Sequence, residues 1–378
     1  MNFLVESYIL LLSALSVSSA SRVFELSDKF MEISHEGMWF VKFYAPWCAH
    51  CRRLEPVWAH VAQSLYNTPI KVAKVDCTRF PAFASLYKIR GYPTILFLKG
   101  NNHHEYVGDR QKDDMVNYAV RMSQPAVQRI SQADSISYLK ETHPVFFGFD
   151  TFTLNAEKYQ PHSWFYAMSP DVIQHEVKLP NETAVFVHKD DEVFFFEANP
   201  TVFEDKDTLN NTLDKWINAE RFGFFPKITR ANINYLMDTE KYIVIAVVSE
   251  NKLNEITQTE RDFKDMVEGI IRKRKRELHH RFQFGWMGTP ELANSIAMSE
   301  LTMPNLLVLN STTSHHHIPD DDPILMTPEA VSLFLDQIHL QVAPVTRTML
   351  SSMWRGNPVL TALVFGLPLG FLSLICYS

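Results

Sequence analysis

Along the chain, compact runs of apolar residues alternate with stretches whose apolar positions recur at helical spacing, and this rhythm restarts twice. In the first round, 39–44, 70–75 and 94–98 read as buried strands. A turn at 99–102 follows the third, and 112–122 predicts a closing helix. The second round opens with a helix over 131–141 and a strand over 144–149. Two apolar runs, 184–188 and 193–196, then flank the polar turn 189–192 as a hairpin, and a helix over 207–220 closes the round. The third has a β-branched strand over 242–248, a long charged helix over 257–280, apolar runs at 282–286 and 303–309, and a final helix over 329–340. Strands separated by helices predict α/β units. Three repeats of about a hundred residues fit a chain of 378, for which the length prior is two to three domains.

Both ends are apolar in a different way. Residues 1–20 carry an apolar core from Tyr8 to Val17, then Ser18-Ser19-Ala20, and predict a signal peptide cleaved after Ala20. Glu6 and the lack of Lys or Arg before the core depart from that pattern; a short core helix is the other reading. Residues 357–377 hold no charge, and about twenty apolar residues suffice to cross a bilayer, so they predict a transmembrane helix after a 344–356 linker. Arg347 and Arg355 lie on the side that the positive-inside rule disfavours. A lipid-anchor signal, with Ser351-Ser352 as its small residues, is the alternative. No Lys-Lys or Lys-Asp-Glu-Leu retention signal is visible.

Composition adds limits. The chain is 46% hydrophobic and 12% aromatic, ample for buried cores, and its net charge of −7 gives no footprint for nucleic acid. Cysteines occur at 48, 51, 77 and 376 and form no structural framework, so the fold is held by its cores.

The chemistry concentrates in one stretch, Val41-Lys42-Phe43-Tyr44-Ala45-Pro46-Trp47-Cys48-Ala49-His50-Cys51. A strand, a Cys-x-x-Cys and a helix in that order place Cys48 at a helix N-terminus. Free N–H groups and the helix dipole there favour a thiolate. Two cysteines one turn apart can close a reducible disulfide, the equipment of a thiol-exchange catalyst. Zinc is the competing use of Cys-x-x-C, but there is no second pair, and the site would need His50 or distant ligands. The reading is redox, with no metal.

Phe43-Tyr44-Ala45-Pro46-Trp47-Cys48-Ala49-His50-Cys51 closely resembles the active site of the protein disulfide isomerase family, which has a thioredoxin fold. The likeness continues through 71–76 and 89–95 to Tyr106-Val107-Gly108-Asp109-Arg110. It implies three tandem thioredoxin-like domains, one redox-active and two not, at 21–125, 126–222 and 223–343. The latter two would bind or position substrate. The resemblance makes Cys48 the nucleophile and Cys51 the resolving thiol. It gives His50 the role of stabilising the reduced thiolate, and gives Pro93, as the family's cis-proline, with Tyr92 and Trp47 the role of contacting substrate. Arg110 matches an arginine that can lower the second thiol's pKa. Ala49 stands where the family has Gly, a mild change at a helix start. Pro56 is expected to kink the active-site helix. Lys42 departs most. The family places there a buried acid that takes the resolving cysteine's proton, paired with a lysine that Lys74 matches. Two lysines in a poorly solvated site repel, so one is expected to turn to solvent, or the strand to shift.

Other features read more blandly. Cys77 is expected in the core and Cys376 near a membrane edge. Asn181, Asn210 and Asn310 head glycosylation sequons. Residues 272–276, Arg-Lys-Arg-Lys-Arg, read as a solvated helix face, and His315-His316-His317 with Asp320-Asp321-Asp322 as a surface loop. The sequence therefore points to a thiol-disulfide oxidoreductase held in the endoplasmic reticulum membrane with its domains lumenal. It would act on cysteine-containing clients of the secretory pathway. The disulfide carries the electrons, so no cofactor is called for; the oligomeric state is left open. The rival is a membrane-tethered client-binding chaperone with slow or vestigial cysteines, which Lys42 favours and the intact motif opposes.

Overall fold

The computed structural model describes residues 22–340 apart from 133, 150–155, 170–171, 173–184, 198–201, 203–204 and 252. The expected signal peptide, linker, transmembrane stretch and Asn181 lie outside the described residues. Among those described, no helix is long and apolar enough to cross a membrane. The chain divides into two compact units, 1–125 and 126–378.

The first unit runs β1 (Phe24–Glu25), α1 (Phe30–Ile33), β2 (Met38–Tyr44), α2 (Ala49–Ser64), β3 (Ile70–Asp76), α3 (Pro81–Leu86), β4 (Thr94–Lys99), β5 (Asn102–Glu105) and α4 (Lys112–Ser123). The sheet order is β1-β3-β2-β4-β5. β1 and β2 run parallel to β3, while β4 and β5 run antiparallel to their neighbours. β2 is central and covered on both faces, which is why its run is apolar without alternation. Phe40 packs with Leu54, Trp58 and Val61 of α2 and Met115 of α4, whereas Trp39, Val41 and Phe43 pack with Phe30 of α1 and Phe83 of α3. Gly100, at φ +59°, turns the chain between β4 and β5.

The second unit holds two sheets. β6 (Gln128–Ile130), α5 (Asp134–Thr142), β7 (Val145–Phe149), α6 (Ala156–Tyr159), β8 (Trp164–Met168), β9 (Val185–Lys189), β10 (Glu192–Phe195) and α7 (Lys206–Glu220) build the first. Its order, β10-β9-β7-β8-β6, repeats the arrangement of the first unit strand for strand. Then come α8 (Ile233–Met237), β11 (Tyr242–Val247), α9 (Gln258–Leu278), β12 (Phe282–Met287), α10 (Pro290–Ala297), β13 (Asn305–Asn310), β14 (His316–His317) and α11 (Pro328–His339). The order β12-β11-β13-β14 repeats it again without the outermost strand, and a single parallel bridge from Lys227 to Trp286 stands in that strand's place. Between the two sheets of this unit, Glu220 at the end of α7 accepts from Lys189 of β9 and, at 2.8 Å, from Lys241 just before β11.

Details differ from the sequence reading. The hairpin turn is two residues, not four: Asp190 and Asp191 adopt φ of 46° and 65°, and Lys189 pairs with Glu192. Pro56 lies inside α2, as the sequence reading placed it. His316 and His317 are not in a surface loop; they form β14 and are buried, because their backbones pair with Leu309 and Val308. The basic run of α9 is the solvated face expected, with Arg272 on Glu268, Arg274 on Glu277 and Asp336, and Lys275 on Glu192. No cluster of three or more metal-ligating residues occurs among the described residues.

Candidate active site

β2 delivers the chain to the site. After Tyr44 the backbone turns, the Cys48 N–H donating to Ala45 O at 3.1 Å, and Cys48 becomes the N-cap of α2. Cys48 and Cys51 are joined as a disulfide, their Cα atoms 5.3 Å apart, and both are buried. The Cys51 N–H lies 3.2 Å from Cys48 Sγ and points at it. This is the N-cap position, where an electron-rich side-chain atom satisfies an orphan donor.

A second wall comes from the residues before β4. The Tyr92–Pro93 peptide is cis, and the Tyr92 carbonyl oxygen sits 3.6 Å from Cys48 Sγ. Trp47 is 70% exposed and meets the half-buried Tyr92 ring edge-on, with centroids 6.1 Å apart. The structure thus brings together Trp47, Cys48, Cys51, Tyr92 and Pro93. His50 is exposed on the first turn of α2, its Nδ1 2.8 Å from Arg53. The Arg110 guanidinium donates to the Pro93 carbonyl at 3.5 Å, so it stands at the rim.

The lysines do not part as the solvent-turned reading expects. Neither lysine turns out to solvent: Lys42 is fully buried and the Lys74 side chain is 18% exposed. Lys42 pairs in register with Lys74 and lies over the Trp58 ring. The reason is Glu55, on α2, whose two carboxylate oxygens accept from Lys42 and, at 2.8 Å, from Lys74. Glu25 of β1 adds a second carboxylate 3.1 Å from Lys74. Burial lowers the Lys42 pKa, and the bond to Glu55 only partly offsets it. Burial also raises Glu55, but its bonds to the two ammoniums outweigh this and hold the carboxyl below its usual range. Glu55 escaped the sequence reading. An acidic residue four after Cys51, on the same helical face, was the signal.

Cys77 is buried as expected; burial pushes its thiol up to about 11, against a counteracting hydrogen bond with Tyr92. Of the sequon residues, Asn210 lies within α7. Asn310 ends β13, its carboxamide oxygen accepting from the N–H groups of Thr312 and Thr313. A second cis-proline, Pro304 before β13, occupies the place that Pro93 has before β4; a lone Pro ahead of an apolar run was its sequence signal.

A family model for thioredoxin matches residues 23–121, and one for a thioredoxin-like domain matches 147–337. Protein disulfide-isomerase TMX3 of Xenopus laevis is 32% identical over 389 residues, covering 96% of this chain and 83% of that one. The chain belongs to the protein disulfide-isomerase family. The TMX3 of Homo sapiens is 29% identical over 94% of this chain and 81% of its own, so the likeness to these protein disulfide-isomerases runs well beyond the Cys-x-x-Cys unit. Human protein disulfide-isomerase A6 matches more closely, at 42%, but over only 27% of the chain and 25% of its own. Membership makes this a disulfide isomerase and oxidoreductase by class, and the Cys48–Cys51 pair fits the dithiol such an enzyme needs.

Proposed function

We propose that the protein is a membrane-anchored thiol-disulfide oxidoreductase that forms, reduces or isomerises disulfides in folding proteins of the secretory pathway. One observation carries this reading: the Cys48–Cys51 disulfide caps a helix N-terminus and faces the Tyr92–Pro93 backbone. Cys48, the N-cap, is the nucleophile. Its thiolate attacks one sulfur of a client disulfide, the other leaves as a thiolate, and Cys51 then displaces the client from Cys48. Run in reverse, the same steps donate the disulfide. His50 steadies the Cys48 thiolate, and Arg110 and Lys74 adjust charge around Cys51. Trp47, Tyr92 and Pro93 hold the client strand. The chemistry needs no cofactor.

The wider assignment is part of the same proposal. Thioredoxin-like domains at 21–125, 126–222 and 223–343 are supported by the threefold recurrence of one strand order. A signal peptide at 1–20 and a transmembrane helix at 357–377, joined by the 344–356 linker, would place the domains in the endoplasmic reticulum lumen. Asn181, Asn210 and Asn310 are the glycosylation positions of that reading.

The test is reactivation of reduced, denatured ribonuclease by the purified protein, beside Cys48→Ser and Cys51→Ser. Catalysed reactivation that vanishes with Cys48→Ser is expected. Three proteins that merely suppress aggregation alike would leave a client-binding chaperone in its place.

A further inference from the structure

Lys42 is a fully buried cation in a strand whose neighbours are Val41 and Phe43. Burying an ammonium costs several kcal/mol unless a counter-charge accompanies it. The counter-charge comes from Glu55, and its position on α2 matters. Glu55 follows Cys51 by four residues, about 6 Å along the helix and on the same face. The carboxylate thus fixes the Lys42 ammonium beneath the face of α2 that carries Cys51. Its other oxygen holds Lys74, which Glu25 also neutralises.

Around Cys51 the remaining ionisable groups are few. Cys48 and His50 share its turn, with His50 drawn outward to Arg53. Tyr44 and Tyr92 pack against the cluster of Ala45, Cys48 and Cys51, and Asp76 at the end of β3 accepts from Thr78. Arg110 is engaged with the Pro93 carbonyl. Lys42 joins this surround through Glu55 and through Tyr44, whose ring centroid lies 5.6 Å from the Lys42 ammonium and which packs against the cluster that holds Cys51.

We propose that the Lys42–Glu55 pair sets the acidity of the Cys51 thiol, the ammonium favouring the thiolate and the carboxylate moderating that pull. The proposal rests on the redox role given above to Cys51. In the mixed disulfide, Cys51 releases its proton to solvent and its thiolate attacks Cys48 Sγ. The Cys48–client bond breaks as the Cys51–Cys48 bond forms, and the client sulfur departs with the bonding pair and takes up a proton. A nearby cation raises the fraction of Cys51 ready for that attack at neutral pH. Lys42 and Glu55 act here as positioning residues.

The experiment titrates Cys51 in the full chain carrying Cys48→Ser, by the pH dependence of iodoacetamide labelling read by mass spectrometry of the Cys51 peptide. Lys42→Met, close in length and apolar, is expected to raise the Cys51 pKa by about one unit, a tenfold smaller thiolate fraction at neutral pH. Lys42→Arg should restore the parent titration. Glu55→Gln, which leaves Lys42 and Lys74 less compensated, should move it in the opposite direction. A purely structural pair would not shift one thiol both ways. Unchanged titrations, or shifts of the same sign, would overturn the proposal. Should Lys42→Met fail to fold, Glu55→Gln decides alone: a lowered pKa supports the proposal, and an unchanged or raised one sinks it. The ribonuclease assay on the Cys48-intact parent is run alongside. An inactive parent defeats the oxidoreductase reading, while the titration still judges the charge pair.

Discussion

The backbone N–H of Cys51 points at Cys48 Sγ from 3.2 Å, so the sulfur caps its own helix. A donor aimed at sulfur stabilises the anion more than the thiol. After reduction, Cys48 is expected to titrate well below the ordinary thiol value of about 8.5. Cys77, pushed up to about 11 by burial, should stay protonated and shielded. Iodoacetamide labelling at neutral pH, mapped by peptide, should therefore mark Cys48 at least about tenfold faster than Cys77. Comparable rates would mean that the cap does not activate the sulfur.

Trp47 is exposed beside the disulfide and touches little but the edge of Tyr92. Removing it deletes contact surface for a client without opening the core. Trp47→Ala should leave the melting temperature nearly unchanged, within about 0.5 kcal/mol of stability. It should raise KM for a disulfide-bonded peptide several-fold while kcat moves less. A fall in kcat alone would place the side chain in the chemistry instead.

What was legible in the sequence, and what was not, follows from range. The strands of 145–149 and 242–247 announced themselves as apolar runs, and those of 38–44 and 70–76 did so although Lys42, Lys71 and Lys74 interrupt them. β6 and β14, three and two residues long, are too short to carry a period. β8, Trp164–Met168, is an apolar run between Ser163 and Ser169 and was open to the same reading, but its five residues give no period to tell a strand from a helix turn. At the site, the cysteines, Trp47 and Pro93 were readable as one motif. Lys42 was readable only as a misfit: its partner lies thirteen residues away on another element, and only the packing of α2 on β2 joins them.

Two glycines of the second unit should respond to alanine with opposite signs. Gly148 of β7 lies opposite Phe186 of β9 in the ladder, and a Cβ there would run into the Phe186 ring. Gly148→Ala is expected to destabilise by about 1–3 kcal/mol through overpacking. Gly269 sits inside α9 with open space where a Cβ would go. Gly269→Ala should stabilise by up to about 1 kcal/mol, the helix-propensity difference. Urea midpoints for the two variants read both signs, and a Gly148→Ala protein as stable as the parent would mean that β7 and β9 are spaced more widely than described.

Glu220, between Lys189 and Lys241, makes the second unit acid-sensitive, and His279 adds to it. Burial would raise the Glu220 carboxyl, but the two ammoniums outweigh it and hold the folded value at about 2, below an unfolded value near 4.5. Burial lowers His279 to about 4 from 6.5, with Glu220 opposing and His280 and the lysines adding to the effect. For a group whose folded pKa is depressed, stability is present above the unfolded value and lost as pH falls through the folded one. Loss should therefore begin near pH 6.5 with His279 and continue below 4.5 with Glu220. Each contributes on the order of 3 kcal/mol at full titration. Urea midpoints of the protein at pH 7.5, 5.5 and 4 should fall in that order. Glu220→Gln strands two buried ammoniums and should cost about 3–5 kcal/mol at pH 7.5. Replacing Lys189, Glu220 and Lys241 together by Met, Leu and Met should restore most of that loss and flatten the pH dependence below 4.5, because apolar groups of similar volume often substitute for a buried ionic cluster without penalty. A triple variant as unstable as Glu220→Gln would show that the charges themselves, and not merely their mutual neutralisation, hold the two sheets of this unit together.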